Sequence, residues 1–132
     1  PVIALQLHNG KLITGRTSQL MDAPGAAIMN ALKELAGISD QIDLLAPMVL
    51  ETIQGLKRDN LAHKNPTLTL NELLIALAIS AVTNPTAQLA YQQLHQLRDT
   101  QAHSSVILSQ DTRSQLADLG IQATSDPVYA SQ

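Results

Sequence analysis

The sequence predicts an α/β fold in which a small mixed sheet, made from an N-terminal β-hairpin and a C-terminal βαβ unit, carries about five packed helices. Three observations lead there. Asn9-Gly10 stands between two apolar runs, the strongest short-range hairpin signal. Three central segments repeat apolar residues at helical spacing behind recognisable caps. Residues 104–124 read as strand, helix and strand in close succession.

Val2 to Leu7 reads as a buried strand, and His8-Asn9-Gly10-Lys11 as the turn, since Asn and Gly both tolerate positive φ. Leu12 to Thr14 returns as the second strand, and Thr14 to Asp22 is a polar loop. Pro24 suits the first turn of a helix capped by Asp22 or Ala23; Ile28, Ala31, Leu32 and Leu35 share its inner face, and Gly37 stops it. Ile42 to Leu45 reads as a short strand. Pro47 opens a second helix, with Val49, Ile53 and Leu56 on one face, that fades near Asp59 and Asn60.

After the AHKNP loop, Thr69 and Glu72 form a capping box for a helix over Leu70 to Val82. That helix is apolar nearly all round, which predicts cover on more than one side. Asn84-Pro85 starts its partner, with Ala87, Ala90, Tyr91, Leu94 and Leu97 facing inward; the resulting helical hairpin is expected to help sandwich the sheet. Ser104 to Leu108 reads as a strand, Asp111 to Leu119 as a helix stopped by Gly120, and Ile121 to Thr124 as the last strand, followed by a polar surface tail over 125–132. The whole of 1–132 is expected to be one domain.

Bulk properties narrow the function. Apolar residues make up 45% of the chain, but charged residues only 14%, well under the usual quarter, which points to a surface partly covered by another domain or a second copy. A net charge of −3, scattered Lys and Arg, and no Phe or Trp argue against nucleic-acid binding. With no cysteine there is no disulfide, thiolate nucleophile or zinc–cysteine site. The longest apolar run is half of what a bilayer needs, and no signal peptide opens the chain, so a cytoplasmic protein without a membrane partner is expected. The start at Pro1, directly in a strand-like run, suggests a domain boundary.

Complete catalytic or cofactor motifs are lacking. The loop Thr14-Gly15-Arg16-Thr17-Ser18 could hold a phosphate or carboxylate at a helix N-terminus, but it lacks the second Gly and the Lys-Ser/Thr pair of a nucleotide loop. Its blander reading is a polar connection whose hydroxyls satisfy backbone groups. Among the histidines, His8 and His95 read as solvated, whereas His63 and His103 lie where a scaffold commonly presents ligand-binding groups. No His pair has metal-ligand spacing, so no metal is expected. Asn30 and Lys33 lie one turn apart and could face a ligand or an interface; Asn65 precedes Pro66 in a turn. The ligand-binding candidates are therefore Arg16, Thr17, Ser18, Asn30, Lys33, His63, Asn65 and His103, with the cofactor open.

The stretches ALQLHNGKLITGRTSQLM, AAIMNALKELAGI, NELLIALAISAVTNPTAQLAYQQL and AHSSVILS together resemble the C-terminal domain of an uncharacterised bacterial family of two-domain proteins, a domain of unknown function. The resemblance runs in order along almost the whole chain. It implies an N-terminal α/β domain against which this one packs. Thr14, Gly15, Ser18, Asn30, Lys33, Asn65, Pro66, Asn84, Pro85 and His103 are the residues that match the family pattern; where that pattern tends to put a His beside Asn-Pro, this chain has Lys64, with His63 one residue earlier. Two roles are then expected: an interaction or oligomerisation module that completes a larger protein, or half of an active site lending anion-binding residues to a cleft shared with the N-terminal domain. A homo-oligomer is also expected.

Overall fold

A computed structural model describes residues 1–130. Four strands, β1 (Val2–Gln6), β2 (Leu12–Arg16), β3 (Gln101–Ser104) and β4 (Gln122–Ser125), form one mixed sheet in the order β2-β1-β3-β4. β1 runs antiparallel to both β2 and β3, and β3 runs parallel to β4. The helices are α1 (Ala23–Ala36), α2 (Pro47–Gly55), α3 (Leu70–Ser80), α4 (Pro85–Tyr91) and α5 (Gln110–Asp118). A π-helical turn over Leu56–Asn60 extends α2, and a 3-10 turn over Leu94–Leu97 follows α4. The α/β class and the hairpin-plus-βαβ sheet are as the sequence predicts.

The hairpin turns where expected, by a different device. Gly10 alone takes positive φ, at +85°, and Leu7 and Lys11 still pair across the loop. Asn9 contributes its side chain, whose Oδ1 accepts from Lys11 N at 2.9 Å. This is a three-residue loop closed by a left-handed glycine. β2 also runs two residues beyond Thr14, because Gly15 and Arg16 pair with Ile3 and Val2. Gly15 is required there for packing: a Cβ would lie 2.6 Å from Ala23 O and closer still to Ala27 N, so only a hydrogen lets α1 settle on the sheet.

Three local assignments fail. Ile42 to Leu45 is not a strand; Leu44 and Leu45 are buried plugs in an irregular segment that pairs with no strand before Pro47. β3 lies at Gln101–Ser104, not Ser104–Leu108, because a parallel partner exists only there: Gln101 matches Gln122 and Ser104 matches Ser125. Beyond it Ser105 closes the ladder onto Val2, and Ser104 Oγ takes Val106 N at 3.2 Å, which leads the chain off the sheet. Tyr91 is 42% exposed instead of facing inward, since small Ala87 and Ala90 fill that seam.

The layering differs from a sandwich. α1 lies on the inner face of β1 and β2, the α3–α4 hairpin packs behind α1, and α5 packs beside β4. Ile3, Leu5, Ala102 and Ser104 point into this core, while alternate residues of every strand face away from the helices. α3 buries Leu70, Leu73, Ala76 and Leu77, but Ile75, Ile79 and Val82 are 54%, 68% and 81% exposed. Among the described residues nothing covers that side of the helix. The last strand includes Ser125, and Ile107 N–H donates to Val128 O, so the expected tail is partly tied down; residues 131 and 132 lie outside the described residues.

Candidate functional site

Most of the polar residues picked out by sequence turn out to hold backbone. Thr17 Oγ1 accepts from Ala23 N at 3.1 Å, and Ser18 Oγ from Leu20 N and Met21 N at 3.2 and 3.3 Å. Asn30 reaches from α1 to donate to Thr14 O at 2.9 Å, and Lys33 donates to Asp40 O at 3.3 Å. Asn65 Oδ1 accepts from Thr67 N, and Asn84 Oδ1 caps α4 through Thr86 N and Ala87 N. Arg16 is exposed at the end of β2, not in a loop. His63 is exposed and tied through its backbone N–H to Lys57 O.

The loops holding Ser18 and Asn65 are zipped together. Leu68 N donates to Leu20 O and Asp22 N to Leu68 O, each at 2.9 Å. Beneath them sits a buried lock that sequence reading missed. Lys57, 4% exposed, sends Nζ to Thr67 O and to Glu72 Oε1, both at 2.7 Å, and the same carboxylate completes the capping box on Thr69 N. Lys57 lies two helical turns after the buried Leu50 and so shares the inward face of α2, which the π turn extends.

Two neighbouring carboxylates shift in opposite directions. Burial pushes the Asp22 carboxyl above its ordinary value, against the N–H groups of Gly25 and Leu70 at the cap. Burial pushes Glu72 up as well, but its hydrogen bonds from Lys57 and Thr69 N–H, with the Lys57 charge, outweigh that and hold it below its ordinary value.

Arg16 and His103 do come together on one surface, the face of the sheet turned away from the helices. Register sets its rows. Leu12, Gln6, Gln101 and Gln122 form one row, and Thr14, Ala4, His103 and Thr124 the next, with Arg16 beside Val2 beyond. His103 lies two strand spacings, about 10 Å, from β2. Its Nε2 meets Asp126 Oδ1 at 2.9 Å and its Nδ1 meets Thr124 Oγ1 at 2.7 Å. Ala4, Gln6, Gln101, His103 and Thr124 line a shallow depression of about 300 Å³ there. The near-repeat of Gln-Ala-His-Ser (101–104) and Gln-Ala-Thr-Ser (122–125) is the sequence signal that could have found this register.

A second surface has the opposite chemistry. α2 and α3 leave between them a groove of about 500 Å³ whose walls include Met48, Ile53, Leu56, Ile75 and Ile79. Met48 is 76% exposed and Leu56 50%. Val82 and Tyr91 line a separate hollow where the α3 and α4 ends meet, and Leu89 is exposed on α4.

Fold and surfaces together define an α/β domain with one polar open sheet face and one uncovered apolar helical face. Residues 1–132 match the family model described as "Domain of unknown function DUF1846, C-terminal", and the chain belongs to that family. It is similar to UPF0371 proteins of Clostridium tetani (52% identical over 132 residues), Clostridium botulinum (50%) and Clostridioides difficile (48%). Each match covers all of this chain but 26% of the relative, so the chain spans about a quarter of the length of these relatives. No helix among the described residues is long and apolar enough to cross a membrane.

Proposed function

We propose that this domain is an interaction module whose α2–α3 groove docks against the rest of a longer polypeptide, completing its fold. The groove is the observation that carries the reading. A large contiguous apolar surface on one side of a small domain marks a partner surface, and the relatives carry about three quarters of their length outside the matched region. The low charge of the chain agrees, because an interface core is depleted in charged residues. Ile75 and Ile79 are each more than half exposed, so burying them fully is worth about 1 kcal/mol or more apiece.

The test compares one variant in two settings. Ile75→Glu with Ile79→Glu changes the stability of the 132-residue chain by no more than about 0.5 kcal/mol per site, because both side chains lie in water there. In the full-length protein the same pair costs about 3 kcal/mol or more, since it puts charges into an apolar contact. Equal effects in both settings would remove the intramolecular partner. Light scattering then separates a second copy, for which wild-type chain dimerises and the variant does not.

A shared cleft is favoured by a different observation: His103 and Arg16 stand on one open face with a depression between the strands. In that reading the outer sheet face is one wall of a binding site and the rest of the polypeptide supplies the other. A structure of the full-length protein with that face fully in solvent would dismiss it.

A further inference from the structure

The outer sheet face differs from the α2–α3 groove in every property that selects a partner. Its central positions are amides, hydroxyls and an imidazole; Leu12, at the rim, is its one strongly exposed large apolar side chain among those lining the depression. A protein partner would have to match every amide it desolvated, at a penalty of order 1–3 kcal/mol for each left unpaired. A small molecule rich in hydroxyls matches them readily. The larger hollow of about 710 Å³ between α5 and β4 is also partly polar, lined by Gln110, Arg113, Ser114 and Gln122, but it has no row of amides in strand register.

We propose that this face binds a small polyhydroxylated molecule of the sugar or cyclitol class, read by a ladder of glutamine amides beside His103. Gln6, Gln101 and Gln122 stand in register on three adjacent strands, about 5 Å apart. Each amide offers donors and an acceptor, and a row of them meets successive hydroxyls around a ring. Ala4, directly beside His103 on β1, has only a methyl group, and the depression lies over it. Its volume of about 300 Å³ is at the small end of ligand pockets.

His103 is held in place at the wall of the depression. A carboxylate only accepts, so the 2.9 Å contact with Asp126 assigns the proton to Nε2. In the neutral ring Nδ1 then accepts from the Thr124 hydroxyl at 2.7 Å. That hydroxyl also lies 3.4 Å from Ala102 O. Both ring nitrogens of His103 are thus engaged within the sheet, and Asp126 is a positioning residue that fixes the tautomer and the ring that walls the depression. The inference is independent of the groove, and either can fail alone.

The experiment is titration calorimetry on the full-length protein with glucose, myo-inositol, glucose 6-phosphate and inorganic phosphate as separate probes. Saturable binding of a sugar or cyclitol is expected, weakened about tenfold by Gln101→Ala or Gln122→Ala, the loss of one well-made hydrogen bond. Ala4→Leu, which fills the depression without touching a polar group, abolishes it. Asp126→Asn weakens binding and, by imidazole nitrogen NMR, shifts His103 away from the Nε2–H tautomer. No binding of any hydroxylated probe at millimolar concentration overturns the proposal. So does binding unchanged in both glutamine variants and in Ala4→Leu, or inorganic phosphate binding as tightly as glucose 6-phosphate, which would make the site an anion site.

Discussion

Replacing Lys57 by Met tests the buried lock that holds the two loops together. Methionine keeps most of the unbranched stem, so packing is largely preserved and the loss is electrostatic. Two charge-assisted hydrogen bonds disappear, to Thr67 O and to Glu72 Oε1. Each is worth about 1.5–3 kcal/mol, but the Glu72 side chain is 30% exposed, and water takes over part of what lysine supplied. The net cost is then about 2–4 kcal/mol. Urea denaturation of the 132-residue chain reads it as a drop in midpoint of about 1–2 M at unchanged slope.

The same variant has a pH signature. Glu72 titrates below its ordinary 4.5 in the folded state, so the unfolded chain binds more protons between the two values. Its contribution is whole above pH 4.5 and is lost as pH falls through the folded value. Without Lys57 the carboxyl moves back up, and this acid limb shrinks. A Lys57→Met variant within about 0.5 kcal/mol of wild type, with the acid limb intact, would refute the reasoning.

Asp22 titrates the other way: its raised folded value means that ionisation opposes folding, a penalty that is full above that value and is gone once pH falls to the ordinary 3.8. Asp22→Asn, which keeps a good cap, is therefore neutral or stabilising at pH 7, whereas Asp22→Ala costs about 1 kcal/mol; thermal unfolding distinguishes them. Gly15→Ala forces α1 off β2 and costs about 3 kcal/mol or more, read as a lowered midpoint in the same urea assay. Asn84→Ala removes the cap of α4 and costs about 0.5–2 kcal/mol by thermal unfolding, with the helix itself retained in circular dichroism.

Local chemistry was legible in the sequence and long-range chemistry was not. Capping side chains act within three residues, so Asp22, the Thr69–Glu72 box and Asn84 can be read directly, and the turn at Gly10 likewise. β3 was misplaced because Val106, Ile107 and Leu108 are more apolar than Gln-Ala-His-Ser, yet pairing with β4 decides where the strand lies. Leu44 and Leu45 look like a strand because burial and extension share the same residue types, but no sheet edge receives them. Lysine is almost always solvated, so Lys57 reads as surface in the sequence, although helical spacing sets it on the same face as the buried Leu50.

The candidate site shows the same division. Thr17, Ser18, Asn30 and Asn65 were singled out as polar residues in loops or on a helix edge, and they serve neighbouring backbone. His103 was singled out too, but its partners Thr124 and Asp126 are 21 and 23 residues away and meet it only through strand register. Gln6, Gln101 and Gln122 carry no motif. Their alignment is a property of the sheet.

Paramagnetic relaxation of the Ile75 and Ile79 methyl groups by an inert soluble spin label tests the docking account most directly. In the 132-residue chain both methyls relax strongly, as groups open to water must; in the full-length protein at the same concentration, the relaxation is expected to collapse to that of the buried Leu73 methyls. Equal, strong relaxation in both would show a groove that nothing in the polypeptide covers.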